Sequence, residues 1–204
     1  MINNEYDNQI PLDKVIALDP GICKFLVGYT GEGNAVVYGQ KDINVLVNLA
    51  IQQDHIRSDY SARKQSLPRK FFTLSDRIQN LRNDLHYKIA NDLCDNYKYI
   101  FLGDFVGGKT KNRFVNRTSL LFAFDMFQKK LIHVSKKKNV IVKIQNEACT
   151  SKTCSSCGNY YKQLVCNQQR EYKCNACNSL FDRDFNAAKN ILVRGLVENN
   201  FKAR

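Results

Sequence analysis

The sequence predicts a mixed α/β fold: a five-stranded mixed sheet with flanking helices and a small four-cysteine module inserted before the last helix. Three observations predict it. Short apolar runs recur at residues 15–19, 25–30, 35–38, 99–102 and 140–144, each too short for a helix and bounded by turn residues. Longer stretches between the later runs carry apolar residues at helical spacing. Five of the eight cysteines crowd into residues 154–177.

The elements follow in chain order. Residues 15–19 (VIALD) are a buried strand that ends on an acid and turns at Pro20-Gly21. FLVGYT and AVVY, joined by the hairpin turn GEGN, complete a three-stranded meander. Residues 45–56 read as a helix and the basic residues 57–70 as a loop. Leu74, Ile78, Leu81, Leu85, Ile89 and Leu93 then form one apolar stripe, which predicts a long helix over 71–93. YIFL is a fourth strand. A glycine-containing basic loop spans 106–117, and a second amphipathic helix presents Leu120, Phe124, Phe127, Leu131 and Val134 on one face. VIVKI is a fifth strand, and the last helix runs from near Asp184 through Ile191 toward Leu196. Three strands, helices, strand, helix, strand, helix is the order of an RNase H-like sheet with one small insertion.

A chain of 204 residues, 44% hydrophobic, can bury one domain core, with a small module that needs another source of stability. No apolar run approaches the ~20 residues that span a bilayer. The polar start MINNEYDNQIPLDK is not a secretory signal. Both point to an intracellular protein with no membrane partner. The net charge of +12 suits a polyanion, nucleic acid first.

Cys154-x-x-Cys157 and Cys174-x-x-Cys177 are separated by sixteen residues. Two such knuckles close a tetrahedral four-thiolate Zn²⁺ site with no open position, so the zinc is expected to be structural. Gly158 and Asn178 follow the two pairs, where the backbone must turn left-handed. Cys149 is close enough to be a rival ligand but lacks a CxxC partner, Cys166 between the knuckles is not expected to be a ligand, and Cys23 and Cys94 are expected to be small core residues.

Four acids stand at strand ends or helix starts: Asp19, Asp104, Glu147 and Asp184. Carboxylates converging from such positions can hold a pair of hard cations for phosphodiester hydrolysis. Taken singly, Asp19 could serve its turn, Asp184 could cap its helix, and Glu147 could be a surface carboxylate.

The segments LDPGICKF, NEACTSKTCSSCG and CNACNSLFDRDFNAAKNIL closely resemble the C-terminal half of TnpB-like (OrfB) transposon-encoded proteins. These are relatives of type V CRISPR nucleases, and the Fanzor branch is the most similar. The likeness covers residues 14–196. It implies an N-terminal extension over 1–13, a RuvC-like nuclease core over 14–150, a zinc ribbon over 151–180 and a core-completing C-terminal helix over 181–204. It also implies that Asp19 and Asp184 are catalytic. Family members commonly carry Glu-Asp-Leu after the fourth strand, where this chain has Gly103-Asp104-Phe105. Fanzor-like members carry a later glutamate in Asn-Glu-Ala-x-Thr-Ser, here Asn146 to Ser151. Glu147 is therefore the expected third acid, with Asp104 in reserve.

The resemblance implies a DNA endonuclease using Mg²⁺ or Mn²⁺ beside its structural Zn²⁺. DNA is the expected partner, with a guide RNA, and a separate chain supplying the wedge and recognition domains that precede the first strand in full-length relatives. The alternative is a non-cutting, zinc-containing DNA-binding remnant. Lys109, Lys111, Arg113 and Arg117 in the basic loop, Arg63, Lys64, Arg69 and Lys70 before it, and Arg183 beside the acids are the candidate phosphate contacts. The host compartment, prokaryotic cytoplasm or the nucleus or cytoplasm of a eukaryotic or virus-infected cell, is open.

Overall fold

A computed structural model of the protein describes residues 11–105, 112–146, 150–161, 171–199 and 201. β1 (Val15–Pro20), β2 (Leu26–Thr30) and β3 (Ala35–Tyr38) form the meander, followed by α1 (Gln40–Ala62), α2 (Arg69–Asn96) and β4 (Tyr99–Gly103). Next come α3 (Arg113–Phe122), α4 (Phe124–Lys137) and β5 (Ile141–Gln145). A two-stranded ribbon, β6 (Glu171–Lys173) and β7 (Leu180–Asp182), precedes α5 (Arg183–Glu198). The main sheet has the order β3-β2-β1-β4-β5. The meander strands pair antiparallel, and β4 runs parallel to both β1 and β5. This is the mixed α/β sheet that the apolar runs predict.

Val15, Ile16, Ala17 and Leu18 are all fully buried because β1 is central and covered on both faces. Side chains alternate between those faces. Ile16, Leu18, Ile100 and Leu102 pack with α1, α2 and α4, while Val15, Ala17, Tyr99 and Phe101 pack with Ile191 and Leu192 of α5. Three layers result, with α5 alone on its side of the sheet among the described helices. A Cβ added at Gly195 would lie 2.5 Å from the Phe101 ring, so only glycine lets α5 lie this close to β4.

Two expectations are corrected. Residues 57–62 continue α1, and the connection to α2 is confined to 63–68, ending at Pro68. Arg113 and Arg117 are not loop residues: they lie on α3, which a left-handed Ala123 (φ 47°) separates from α4. No helix among the described residues is long and apolar enough to cross a membrane.

Candidate active site and metal centre

Strand parity builds the site. Val15 and Ala17 face α5, so Asp19 leaves the sheet on that side. β4 and β5 run parallel to β1 and end at the same pole. There Asp19 and Asp184 line one cleft of about 550 Å³ with Gly21, Cys23, Phe105, Phe114, Thr150 and Arg183. Asp19 is half-buried and Asp184 is 7% exposed.

Asp184 does not cap α5. Asp182 does, its Oδ1 accepting from the amides of Asp184 (2.9 Å) and Phe185 (3.4 Å). Asp184, on the first helical turn, is left to face the cleft, where the helix dipole favours an anion. Lys24 Nζ donates to Asp182 Oδ2 at 2.7 Å, lies 3.9 Å from Asp184 Oδ2, and rests over the Phe185 ring. Burial alone would raise the Asp182 carboxyl, but the Lys24 ammonium and the two amides outweigh it and hold it below its ordinary value. The KF of LDPGICKF carries this lysine, which the sequence reading passed over.

Tyr99 and Phe101 also face α5, so Gly103 continues that parity with no side chain, and Asp104 falls on the other parity. Asp104 is exposed, its amide bonded to the Gln145 carbonyl, and it is not among the residues lining the cleft. Glu147, Lys109 and Lys111 lie outside the described residues. The chain on either side of Glu147 is tied to α5: Arg194 Nη1 donates to the Asn146 carbonyl (2.6 Å) and Asn190 Nδ2 to the Thr150 carbonyl (2.7 Å). Arg113 is exposed. Arg117 forms a two-pronged bond to Asp54 of α1, 3.0 Å on each prong, which leaves it a brace for α3. Arg183 lines the cleft. Arg63, Lys64, Arg69 and Lys70 stand at and around the α1–α2 connection.

The four cysteines Cys154, Cys157, Cys174 and Cys177 converge with their sulfurs all within 4.8 Å of one another. The Cys154–Cys177 and Cys157–Cys174 pairs lie 3.7 and 3.6 Å apart. A tetrahedron built on Zn–S bonds of about 2.3 Å has edges of about 3.8 Å, so the cluster fits a metal ion such as zinc. Both knuckles close identically, the amides of Gly158 and Asn178 donating to the Cys154 and Cys174 carbonyls at 2.9 Å. Gly158 (φ 74°) and Asn178 (φ 58°) take the left-handed turn that those positions demand. Burial would raise the Cys174 thiol, but the Tyr161 hydroxyl and the amides of Cys177 and Ala176 bring it down to about 6, which favours a thiolate donor. Cys94 is buried as expected, whereas Cys23 is exposed in the cleft, because the turn after β1 carries it past the end of the sheet.

The two centres are physically joined. Asn186 Oδ1 accepts from the Ser155 amide inside the first knuckle (2.9 Å), and its Nδ2 donates to the Thr153 carbonyl (2.8 Å). Asn190 Nδ2 also reaches Thr153 (2.7 Å). Asparagines four residues apart share one helix face, a spacing that was visible in NAAKN but went unread.

The Cas12f1-like TNB domain matches residues 124–191 of this chain. TnpB-like protein L79 of Acanthamoeba polyphaga mimivirus is 30% identical over 194 residues, covering 88% of this chain and 37% of that protein. The CRISPR-associated DNA-binding protein Cas12m of Thermanaerosceptrum fracticalcis is 28% identical over 131 residues, covering 59% and 22%. In a solved Cas12f1–sgRNA–target DNA complex, a chain 19% identical matches with a TM-score of 0.63 over 87% of this chain and 48% of its own length, a likeness of fold. The chain thus spans less than half the length of these relatives. With sequence and fold agreeing over most of its residues, the chain is TnpB-like, similar to one part of these longer proteins.

Proposed function

We propose that the cleft is the site of a DNA endonuclease, with Asp19, Glu147 and Asp184 as ligands of two Mg²⁺ or Mn²⁺ ions. One observation carries the reading: Asp19 and Asp184, from opposite ends of the chain, line the same cleft at the pole where the parallel strands end. An all-oxygen donor set there suits hard divalent cations, in contrast to the thiols of the ribbon. Such a cation pair, when bound, activates the attacking water and offsets charge on the leaving 3′ oxygen.

The chain's own groups orient the reactants. Asp19 holds the central position because β1 is the buried middle strand of the sheet. Asp184 stands on a helix start fixed by Asp182, with the Lys24 ammonium restraining both carboxylates. Glu147 replaces the acid missing at Gly103, as the likeness of Asn146 to Ser151 to the Asn-Glu-Ala-x-Thr-Ser segment of Fanzor-like proteins implies. Arg183 meets a phosphate oxygen of the strand, and Lys109, Lys111 and Arg113 are the further phosphate contacts proposed. The four-cysteine ribbon holds a structural Zn²⁺. The related Cas12f1 structure is a complex with sgRNA and target DNA; a guide RNA and a chain supplying wedge and recognition domains are the corresponding partners proposed here. The site of action is wherever the cell keeps the target DNA.

The test is cleavage of end-labelled single-stranded DNA in Mg²⁺ or Mn²⁺. Wild type should cut. Asp19→Ala and Asp184→Ala should each lose more than about a hundredfold, the several kcal/mol of charge stabilisation that such a site supplies. Glu147→Gln should lose as much and Asp104→Asn little. Binding without cutting by wild type would leave the DNA-binding remnant as the correct reading.

A further inference from the structure

Phe114 is 59% exposed, although it lines the cleft that holds Asp19 and Asp184. Exposure by fraying of a helix end does not explain it. Asn112 caps α3, its Oδ1 accepting from the amides of Phe114 (2.9 Å) and Val115 (3.3 Å). The Arg117–Asp54 fork fastens the next turn of the same helix to α1. The backbone under Phe114 is therefore fixed while its ring stands in solvent. Other aromatics of this region are used differently: Phe122, Phe124 and Phe127 are buried in an aromatic cluster with Phe25, and Phe105 rests against Phe124. Among the described residues, no ring partner meets Phe114.

We propose that Phe114 is a stacking platform for an unpaired base of a DNA strand whose backbone passes Asp19, Asp184 and Arg183. The inference rests on the cleft being the strand-cutting site and adds to it a residue that holds the strand: an aromatic face for one of its bases. The lining of the cleft carries both chemistries that such a strand needs: Arg183 and the two carboxylates for a phosphate and its cations, and Ile22, Phe105, Phe114 and Val115 for the apolar contact that a base face requires. A duplex keeps its bases stacked on each other and offers no such face, so the platform selects for unpaired DNA.

The chain contains no tryptophan, so Phe114→Trp puts a single fluorescent reporter at this position and retains the stacking surface. The full chain, zinc-loaded and held in Ca²⁺ in place of Mg²⁺, is titrated with a thymine-containing single strand and with an abasic strand of equal length. The tryptophan emission should fall with the first strand and hold steady with the second. Phe114→Ala should weaken binding of the thymine strand about 5- to 100-fold, the range for loss of one base–aromatic stack, and leave abasic-strand binding and the melting temperature unchanged. An emission that ignores a strand bound by anisotropy, or an alanine effect equal on both strands, overturns the platform. A strand that wild type cuts in Mg²⁺ but that leaves the emission unchanged overturns the platform alone. Quenching by a strand that wild type does not cut upholds the platform and removes the nuclease reading.

Discussion

The sheet core and the cysteine ribbon are neighbours in one chain but are held together by different forces. The core buries Ile16, Leu18, Ile100, Leu102, Leu131 and many more apolar side chains between layers. The ribbon's buried cluster is Cys154, Tyr172 and Cys174, with Tyr161 and Phe181 packed beside it. Removal of apolar surface from water stabilises the first at about 25 cal/mol per Å². So few side chains cannot do this for the second, where a metal ion held by the four cysteines would supply what packing does not. The two cleft acids sit between these regimes: Asp19 on the buried strand β1, Asp184 on the helix that the ribbon strand feeds directly.

Metal removal should separate the two regions most sharply. A strong chelator, or Cys174→Ser, should abolish hydrogen-exchange protection in β6, β7 and the knuckles while β1 and β4 keep theirs, since zinc binding in small modules is worth ~10–16 kcal/mol. Collapse of both regions together would show that the core is not self-sufficient. The converse cut is Leu131→Ala, which empties a fully buried site on the far side of the sheet. It should cost ~2–5 kcal/mol of core stability in denaturant melts and leave metal stoichiometry unchanged.

Acid should weaken the core through His86. Burial first, then the nearby Lys130, lowers its pKa from 6.5 to about 4, while its Nε2 lies 2.9 Å from the Phe122 carbonyl. The fold therefore favours the neutral ring. Its contribution is full above pH 6.5 and drains away as pH falls toward 4, up to about 3 kcal/mol. An NMR titration that finds the ring protonating near 6.5 contradicts this. The smallest effect should come from the weld between regions. Asn186→Ala leaves the Ser155 amide without its acceptor and removes one donor from the Thr153 carbonyl, a loss of about 1–3 kcal/mol. It should appear as faster exchange at Ser155 and weaker zinc retention, with core melting little changed.

The strands were legible because each is a short apolar run between turn residues, and the α2 stripe because one face of it packs into the core. The α3–α4 joint was not, because Ala123 adopts a left-handed backbone that neither glycine nor asparagine announces. Nor was the end of α1, whose last turns are polar because they face solvent. At the site, Asp19, Asp184 and the cysteines could be named from spacing and resemblance. Asp104 could be set aside only with the strand register known, since a one-residue step moves a side chain to the other face of a sheet. Lys24, Asn186, Arg194 and Phe114 matter through partners or cavities far away in sequence, which no local pattern encodes.

Asp182 ends β7 and, as the next residue begins α5, also caps it. With no slack between strand and helix, and with Asn186 and Asn190 as lateral struts, the ribbon has no hinge of its own on this side. It is a lever rigidly mounted on the helix that carries Asp184. Any displacement of the ribbon is therefore shared with the start of α5, where Asp184 stands in the cleft.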